Sequence, residues 1–294
     1  MSRVRLLALD IDGTLLRSDK TISPRTRQAL FAAKDRGVHI VLVTGRRYPA
    51  ALRVARELGH EVPLVLHNGA LVVEDGRVLR CRPLSLETAR RAIRIGRQRG
   101  ADPVAHCGHQ GEGRLLIEAV GASNTLLAYY LDRSHPDVCK VDDLERDLVE
   151  DPIQVMFGGA AAAMEALLVH LSAELGEAVG IERTFYPAQA VGILDVLAPG
   201  VGKAEALAFL QERWRVSAGE TLAIGDNWND REMLAQAGRG LLMGNADPDL
   251  LRLGLPVLPS NDEDGVAVAI EKYVLIELGG AAVAPPRPPS RSPK

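Results

Sequence analysis

Val4-Arg5-Leu6-Leu7-Ala8-Leu9-Asp10-Ile11-Asp12-Gly13-Thr14 decides the fold class. Val4 to Leu9 is a short apolar run without alternation, the pattern of a strand buried on both faces, and it ends in acid. The next residues repeat the theme. Ser23-Pro24 supplies an N-cap and a proline at the first helical position, and a helical pattern through Leu30, Ala33 and Lys34 stops at Gly37. Val38 to Val43 is a second apolar run, Pro49 to Leu58 a helix closed by Gly59, and Pro63 to Leu66 a third strand. Asp75-Gly76 between apolar segments predicts a hairpin turn. Such strands interleaved with helices predict an α/β fold with a parallel sheet covered on both faces.

The middle changes texture. Pro83 to Arg99 predicts a basic amphipathic helix, Leu115 to Val120 and Ile153 to Phe157 strands, and Ala160 to Leu175 an alanine-rich helix. The βα pattern then resumes with a helix over Gly202 to Trp214, a strand over Thr221 to Ile224 and a helix over Asp230 to Ala237. Leu241 to Met243 predicts a short strand, and Asp264 to Leu278 a terminal helix. The expected organisation is a discontinuous α/β core, residues 1–82 and 189–278, interrupted by an α+β insert, residues 83–188. Residues 279–294, rich in Pro, Ala, Arg and Ser, are expected to be disordered.

Composition excludes several function classes. The 294 residues hold 35 basic and 38 acidic side chains, a net charge of -3, so neither a basic nucleic-acid footprint nor attraction to anionic membranes is expected. Aromatic residues are 4%, too few for a base-stacking platform. Cys81, Cys107 and Cys139 are odd in number, far apart and form no CxxC, which favours a reducing compartment over a disulfide framework. The N-terminal apolar stretch is broken by Asp10 and Asp12, unlike a signal peptide, and no run approaches a membrane span. A soluble, cytoplasmic protein is expected.

Four stretches carry chemistry. Asp10 and Asp12 leave the first strand at the carboxyl edge, where open parallel sheets bind ligands, and Ile11 alternates away between them. Two anions this close call for a cation or a shared proton, and a hard ion such as Mg²⁺ suits carboxylate oxygen. A strand-end Asx turn is the bland alternative; a calcium loop has different spacing. Val43-Thr44-Gly45-Arg46 ends the second strand with a hydroxyl and freed backbone amides that could hold a phosphate oxygen, or merely cap a helix. Lys203 follows Pro199-Gly200-Val201-Gly202 at a helix N-terminus, where a lysine opposes the macrodipole unless an anion binds there. The alternative is a solvated lysine. Ile224-Gly225-Asp226-Asn227-Trp228-Asn229-Asp230 gathers oxygen ligands at another strand end, more of them than a helix cap explains.

Together and in this order, DIDGT, VTGR, GVGK and GDNWND resemble the four motifs of the haloacid dehalogenase superfamily of phosphohydrolases. Asn68-Gly69-Ala70, Met243-Gly244-Asn245-Ala246 and Glu263-Asp264-Gly265-Val266-Ala267 resemble its Cof-like branch, which has a type IIB α/β cap between the second and third motifs. The resemblance covers residues 4–276. It implies a Rossmann-like core, Mg²⁺ and hydrolysis of small phosphate monoesters, such as sugar, polyol or flavin-pathway phosphates. It also implies Asp10 as the nucleophile that becomes an aspartyl phosphate, and Asp12 as the group that protonates the leaving oxygen and then activates water. Thr44 and Lys203 would hold phosphoryl oxygens, Gly45 would give backbone access, and Asn229 would contact the phosphate. Asp10, Asp226 and the Asp12 backbone carbonyl would hold the metal, with Asp230 supporting the metal or Lys203 from behind. Trp228, at a variable position of the fourth motif, is a candidate for contact with the cap.

Two other stretches imitate sites. His106-Cys107-Gly108-His109 lacks the spacing of structural zinc and reads as a polar or substrate-facing loop. Arg90, Arg91, Arg94, Arg97 and Arg99 have helical spacing and read as a solvated face. The alternatives to a phosphatase are a phosphomannomutase-like phosphotransferase on the same core and a phosphometabolite-binding regulator without turnover. The intact Asp10/Asp12 pair argues against the regulator.

Overall fold

A computed structural model describes residues 3–59, 61–186 and 189–276; the expected disordered tail lies outside them. The N-terminal piece runs β1 (Leu6–Leu9), α1 (Pro24–Asp35), β2 (His39–Val43), α2 (Tyr48–Glu57), β3 (Leu64–Leu66), β4 (Leu71–Glu74) and β5 (Arg77–Cys81). Ser23 caps α1 as the sequence predicts, its hydroxyl accepting from the Thr26 backbone N–H at 3.0 Å. Asp75 and Gly76 both take positive φ, 50° and 70°, which turns β4 back along β5 in a tight hairpin.

The insert comprises α3 (Leu86–Gln98), β6 (Pro103–Cys107), β7 (Arg114–Ile117), α4 (Thr125–Ser134), β8 (Val138–Lys140), α5 (Leu144–Asp147), β9 (Gln154–Ala160), α6 (Ala161–Leu175), β10 (Gly180–Tyr186) and β11 (Val191–Leu197). Its six strands form one sheet in the order β10-β11-β9-β6-β7-β8, antiparallel except between β7 and β8. Helices α3 and α6 pack apolar faces on one side of that sheet around Phe157. The basic helix starts at Leu86 rather than Pro83, because the Ser85 hydroxyl accepts from the Thr88 N–H and caps it there. Strands β10 and β11 are not legible in the sequence, and β11 lies wholly beyond residue 188, the expected end of the insert, so the insert's sheet reaches Leu197. Every residue of β10 is half-buried, so neither apolar run nor alternation marks it; pairing with β11 makes it a strand.

The chain then completes the core with α7 (Lys203–Trp214), β12 (Thr221–Gly225), α8 (Arg231–Gln236), β13 (Arg239–Leu242), α9 (Pro248–Leu251) and α10 (Gly265–Ile270). A π-helical turn, Glu271–Leu275, follows α10 in place of the expected unbroken helix. The core sheet has seven strands in the order β13-β12-β1-β2-β3-β4-β5. From β13 to β3 neighbours are parallel, as expected; β4 and β5 add an antiparallel edge. Along β1, Leu7 and Leu9 join a cluster with α1, α2 and α10, while Leu6 and Ala8 join one with α7 and α8. Both faces are covered, which is why the strand shows no alternation. Strand order reverses at β1, between β12 and β2, the kind of switch point at which open α/β sheets bind ligands beyond the strands' carboxyl ends. Among the described residues, no helix is long and apolar enough to cross a membrane.

Candidate active site

All four motifs meet at that edge. Asp10 follows β1, Thr44 follows β2, Lys203 begins α7 and Asp226 follows β12. Lys203 is buried, which removes the solvated-lysine reading. Its Nζ donates at 2.7 Å to Asp10 Oδ1 and at 2.7 Å to Asp230 Oδ1. Two buried carboxylates hold its ammonium far above the usual lysine range despite burial. Asp230 Oδ2 accepts from the backbone N–H groups of Asp226 and Asn227 at 3.0 and 3.1 Å. Both oxygens of Asp230 are therefore engaged, one on Lys203 and one on the turn that presents Asp226. Gly13, at φ +79°, lies so close to the Asp226 carboxylate that a Cβ would overlap it.

Asp10, Asp226 and Asp230 each offer a carboxylate oxygen within 4.8 Å of the others, all buried. Burial lifts Asp10 to about 7, with Lys203 opposing the shift, and lifts Asp226 well above the carboxylate range, with Asp10 and Asp230 adding to it. Asp226 Oδ1 has the Thr14 hydroxyl as donor at 2.7 Å. One lysine does not neutralise three buried carboxylates, so this hard oxygen set fits a divalent cation such as Mg²⁺. Asp230, already engaged on both oxygens, is the member least free to bind one.

Asp12 sits apart from that trio. Arg46 Nε and a terminal guanidinium nitrogen grip its two oxygens at 2.6 and 2.7 Å, and Lys20 lies 3.7 Å away. Burial would raise Asp12, but the Arg46 hydrogen bonds and charge outweigh it and hold the carboxyl below its ordinary value. Arg46 therefore has a defined partner that the sequence did not reveal. Thr44 is buried, and its hydroxyl accepts from the Arg46 N–H at 3.1 Å. A Cβ on Gly45 would stand 3.1 Å from Asn68 Oδ1, so this glycine makes room for the Asn68 carboxamide. Asn229 Nδ2 donates to Asn68 Oδ1 at 2.9 Å.

The insert closes over this edge. Asn227 Nδ2 donates to the Phe185 carbonyl of β10 at 3.2 Å, and the guanidinium carbons of Arg183 and Arg231 lie over the Trp228 ring, 4.5 and 5.1 Å from its centroid. Trp228 thus does meet the insert. Tyr186 at the end of β10 is pushed up by burial and by the negative charges of Asp12, Asp10 and Asp226. Farther along, buried Arg47 reaches Asp137 Oδ2 at 2.5 Å and the Gly113 carbonyl at 2.7 Å. His67 of the core meets His106 of the insert edge-on, ring centroids 5.3 Å apart, both rings buried.

The stretch that imitates a metal site is divided by its strand. His106 faces His67, Cys107 packs in the insert's core, and His109 Nε2 lies 2.6 Å from the Asp151 carbonyl. The arginine series is only partly a solvated face. Arg90 and Arg91 donate to the Leu148 and Glu174 carbonyls, Arg94 pairs with Glu145, and Arg97 with Glu118 and Asp143. These pairs hold the insert's own elements together. Sequence reasoning passed over Asn68 and Tyr186 as site residues. Asn68 stood inside a quoted motif, whereas nothing local marks Tyr186.

The family model described as haloacid dehalogenase-like hydrolase matches residues 7–270. The chain is 31% identical over 273 residues to an HMP-PP phosphatase of Serratia proteamaculans, covering 92% of this chain and 95% of the relative. It is 28% identical over 276 residues to the 5-amino-6-(5-phospho-D-ribitylamino)uracil phosphatase YitU of Bacillus subtilis, covering 91% and 97%. A solved HAD subclass IIB sugar phosphatase, 23% identical, superposes with a TM-score of 0.76 over 92% of this chain and 99% of its own, which shows the shared fold of core and cap.

Proposed function

This chain belongs to the haloacid dehalogenase-like hydrolase family, and from that premise we propose that it is a Mg²⁺-dependent phosphatase working through an aspartyl phosphate on Asp10. Its substrates are small phosphorylated metabolites, with sugar, polyol and flavin-pathway phosphates the first to test. One observation carries the reading: Lys203, held by Asp10 and Asp230, is buried with Asp226 at the carboxyl ends of β1 and β12, the sheet's switch point.

Asp10 Oδ1 is engaged by Lys203, while its Oδ2 accepts no hydrogen bond among the described residues. That free oxygen attacks phosphorus, and the bond from phosphorus to the ester oxygen breaks. Lys203, the Thr44 hydroxyl and the Asn229 carboxamide hold the phosphoryl oxygens and offset their charge. Mg²⁺, when bound by Asp10, Asp226 and the Asp12 carbonyl, supplies the charge that lets an anionic ester approach an anionic nucleophile. Asp12 passes a proton to the leaving oxygen, then takes one from the water that attacks the acyl phosphate, releasing inorganic phosphate. Arg46 holds Asp12 as a carboxylate, the form needed for the second step; for the first step Asp12 has to leave Arg46 and take up a proton. The insert covers the site, excludes water and selects the substrate.

A screen of phosphorylated metabolites in a reducing, cytoplasm-like buffer, scored by phosphate release with and without Mg²⁺, tests the reading. Release that depends on Mg²⁺ for at least one metabolite is expected. Undiminished release after metal stripping would remove the metal from the scheme. Accumulation of an isomerised phosphosugar without free phosphate would make the protein a phosphotransferase.

A further inference from the structure

The insert's sheet turns a row of polar side chains toward the core. Glu182 stands opposite Asp195 across β10 and β11, and Gln154 opposite His106 across β9 and β6. Asp195 is the anchor of the row. It is 5% exposed and accepts from two carboxamides, Gln154 Nε2 at 2.7 Å on Oδ1 and Asn68 Nδ2 at 2.9 Å on Oδ2. Asn68 belongs to the core, in the turn after β3, and its Oδ1 accepts from Asn229 Nδ2 at 2.9 Å. A head-to-tail chain of side chains therefore runs from the insert's sheet to the fourth motif. Asn68 is fully buried and held at φ +52°, with His67 before it at +49°. That left-handed backbone suits asparagine among non-glycine residues, and it persists because the carboxamide is gripped at both ends.

The chemistry of the chain gives it a direction. A carboxamide turned end for end exchanges its oxygen for its nitrogen, and an isolated one has little reason to prefer either orientation. Burial lifts the Asp195 carboxyl to about 7, opposed by its hydrogen bond from Asn68 and by the charge of Lys203, so above that pH it is ionised and only accepts. Against Asp195, Asn68 must present its N–H groups and so turns Oδ1 to Asn229. Asn229 must then donate one N–H to Asn68 and keeps its second N–H for a phosphoryl oxygen. Turned the other way, its oxygen would meet the Asn68 oxygen. Gly45, whose absent Cβ leaves space beside the Asn68 carboxamide, is part of the same arrangement.

We propose that Asp195 and Asn68 are positioning residues for Asn229, fixing the orientation in which its carboxamide meets the phosphoryl group and tying that contact to the insert's sheet. The inference rests on the phosphate-binding role proposed above for Asn229. It makes the grip on phosphate depend on β11 being in place.

Two variants interrupt the chain without straining the backbone. Asp195→Asn keeps the shape but loses the acceptor-only end, and Asn68→Gly keeps the positive φ and loses the carboxamide. Each is made alone and with Asn229→Ala, qualified by circular dichroism and cooperative unfolding, and assayed with p-nitrophenyl phosphate and Mg²⁺ at pH 8. Each single variant should lower kcat/KM about tenfold, as expected for one misplaced hydrogen bond to a charged group. In the Asn229→Ala background neither should cost more than about twofold, because residues acting through one partner are not additive. Equal losses in both backgrounds would overturn the proposal. Independently of turnover, hydrogen exchange of the Asn229 side-chain amide, read by NMR without phosphate, should quicken in both variants. Unchanged protection would overturn the proposal as well. Loosened Asn229 in a protein that releases no phosphate from any ester would instead retain the arrangement and refute the phosphatase reading.

Discussion

Replacing Lys203 with methionine is the sharpest perturbation of the buried charge cluster. Methionine keeps the unbranched stem and most of the volume, so the change removes a charge rather than packing. The lysine side chain is 1% exposed, and its partners Asp10 and Asp230 are 8% and 0% exposed. Breaking such a buried pair from one side costs about 3–5 kcal/mol, because the carboxylates left behind have no counter-charge. Proton uptake limits the loss. Burial already lifts Asp10 to about 7 with the lysine present, and without it the carboxyl moves higher still. A folded-state value above the unfolded one means that the native protein holds its proton more tightly, so stability from this group is present in acid and lost as pH rises. The Lys203→Met deficit should therefore be smallest near pH 5 and grow above pH 7, whereas a simple packing defect would not follow pH. In turnover, losing the donor to Asp10 and the phosphoryl oxygens should lower kcat at least about 100-fold. Urea unfolding of the chelator-treated protein from pH 5 to 9, with p-nitrophenyl phosphate kinetics, measures both effects. A variant with pH-independent stability loss and kcat/KM within about threefold of the parent would refute the reasoning.

Asp10→Asn should give no phosphoenzyme by rapid-quench mass spectrometry, while Asp12→Asn with an activated aryl phosphate should accumulate phosphate on Asp10, since that leaving group needs little protonation. Near-normal turnover of Asp10→Asn would favour direct attack by water. Trp228→Ala should speed hydrogen exchange along β10, because the Arg183 guanidinium over the indole is worth roughly 0.5–2 kcal/mol; unchanged exchange would mean that Asn227 alone docks the strand. Burial pushes His67 down to about 4 from 6.5, so the folded protein keeps the ring neutral where the unfolded chain is charged. Stability from this group is present above about pH 6.5 and lost as pH falls toward 4, by up to about 3 kcal/mol. His67→Asn, suited to the positive φ, should flatten that acid limb of the unfolding curve, and an identical limb would assign it elsewhere.

The sequence by itself determined the core and the identity of its acids. Strands β1, β2 and β12 are legible because burial on both faces demands uninterrupted apolar runs, and a residue that ends such a strand in a parallel sheet must stand at the ligand-binding edge. Asp10, Thr44 and Asp226 followed from that local rule. Lys203 did not follow so directly. A lysine at a helix start can be solvated or buried, and only the convergence of Asp10 and Asp230 from distant parts of the chain decided it. Partnership across chain segments likewise fixed what Arg46 does to Asp12, why Gly45 is small and where Trp228 points. The half-buried β10 and the Asp195–Asn68–Asn229 chain were illegible for the same physical reason. Their residues have unremarkable neighbours in sequence, and each gains its role from a side chain brought to it from 42 to 161 positions away.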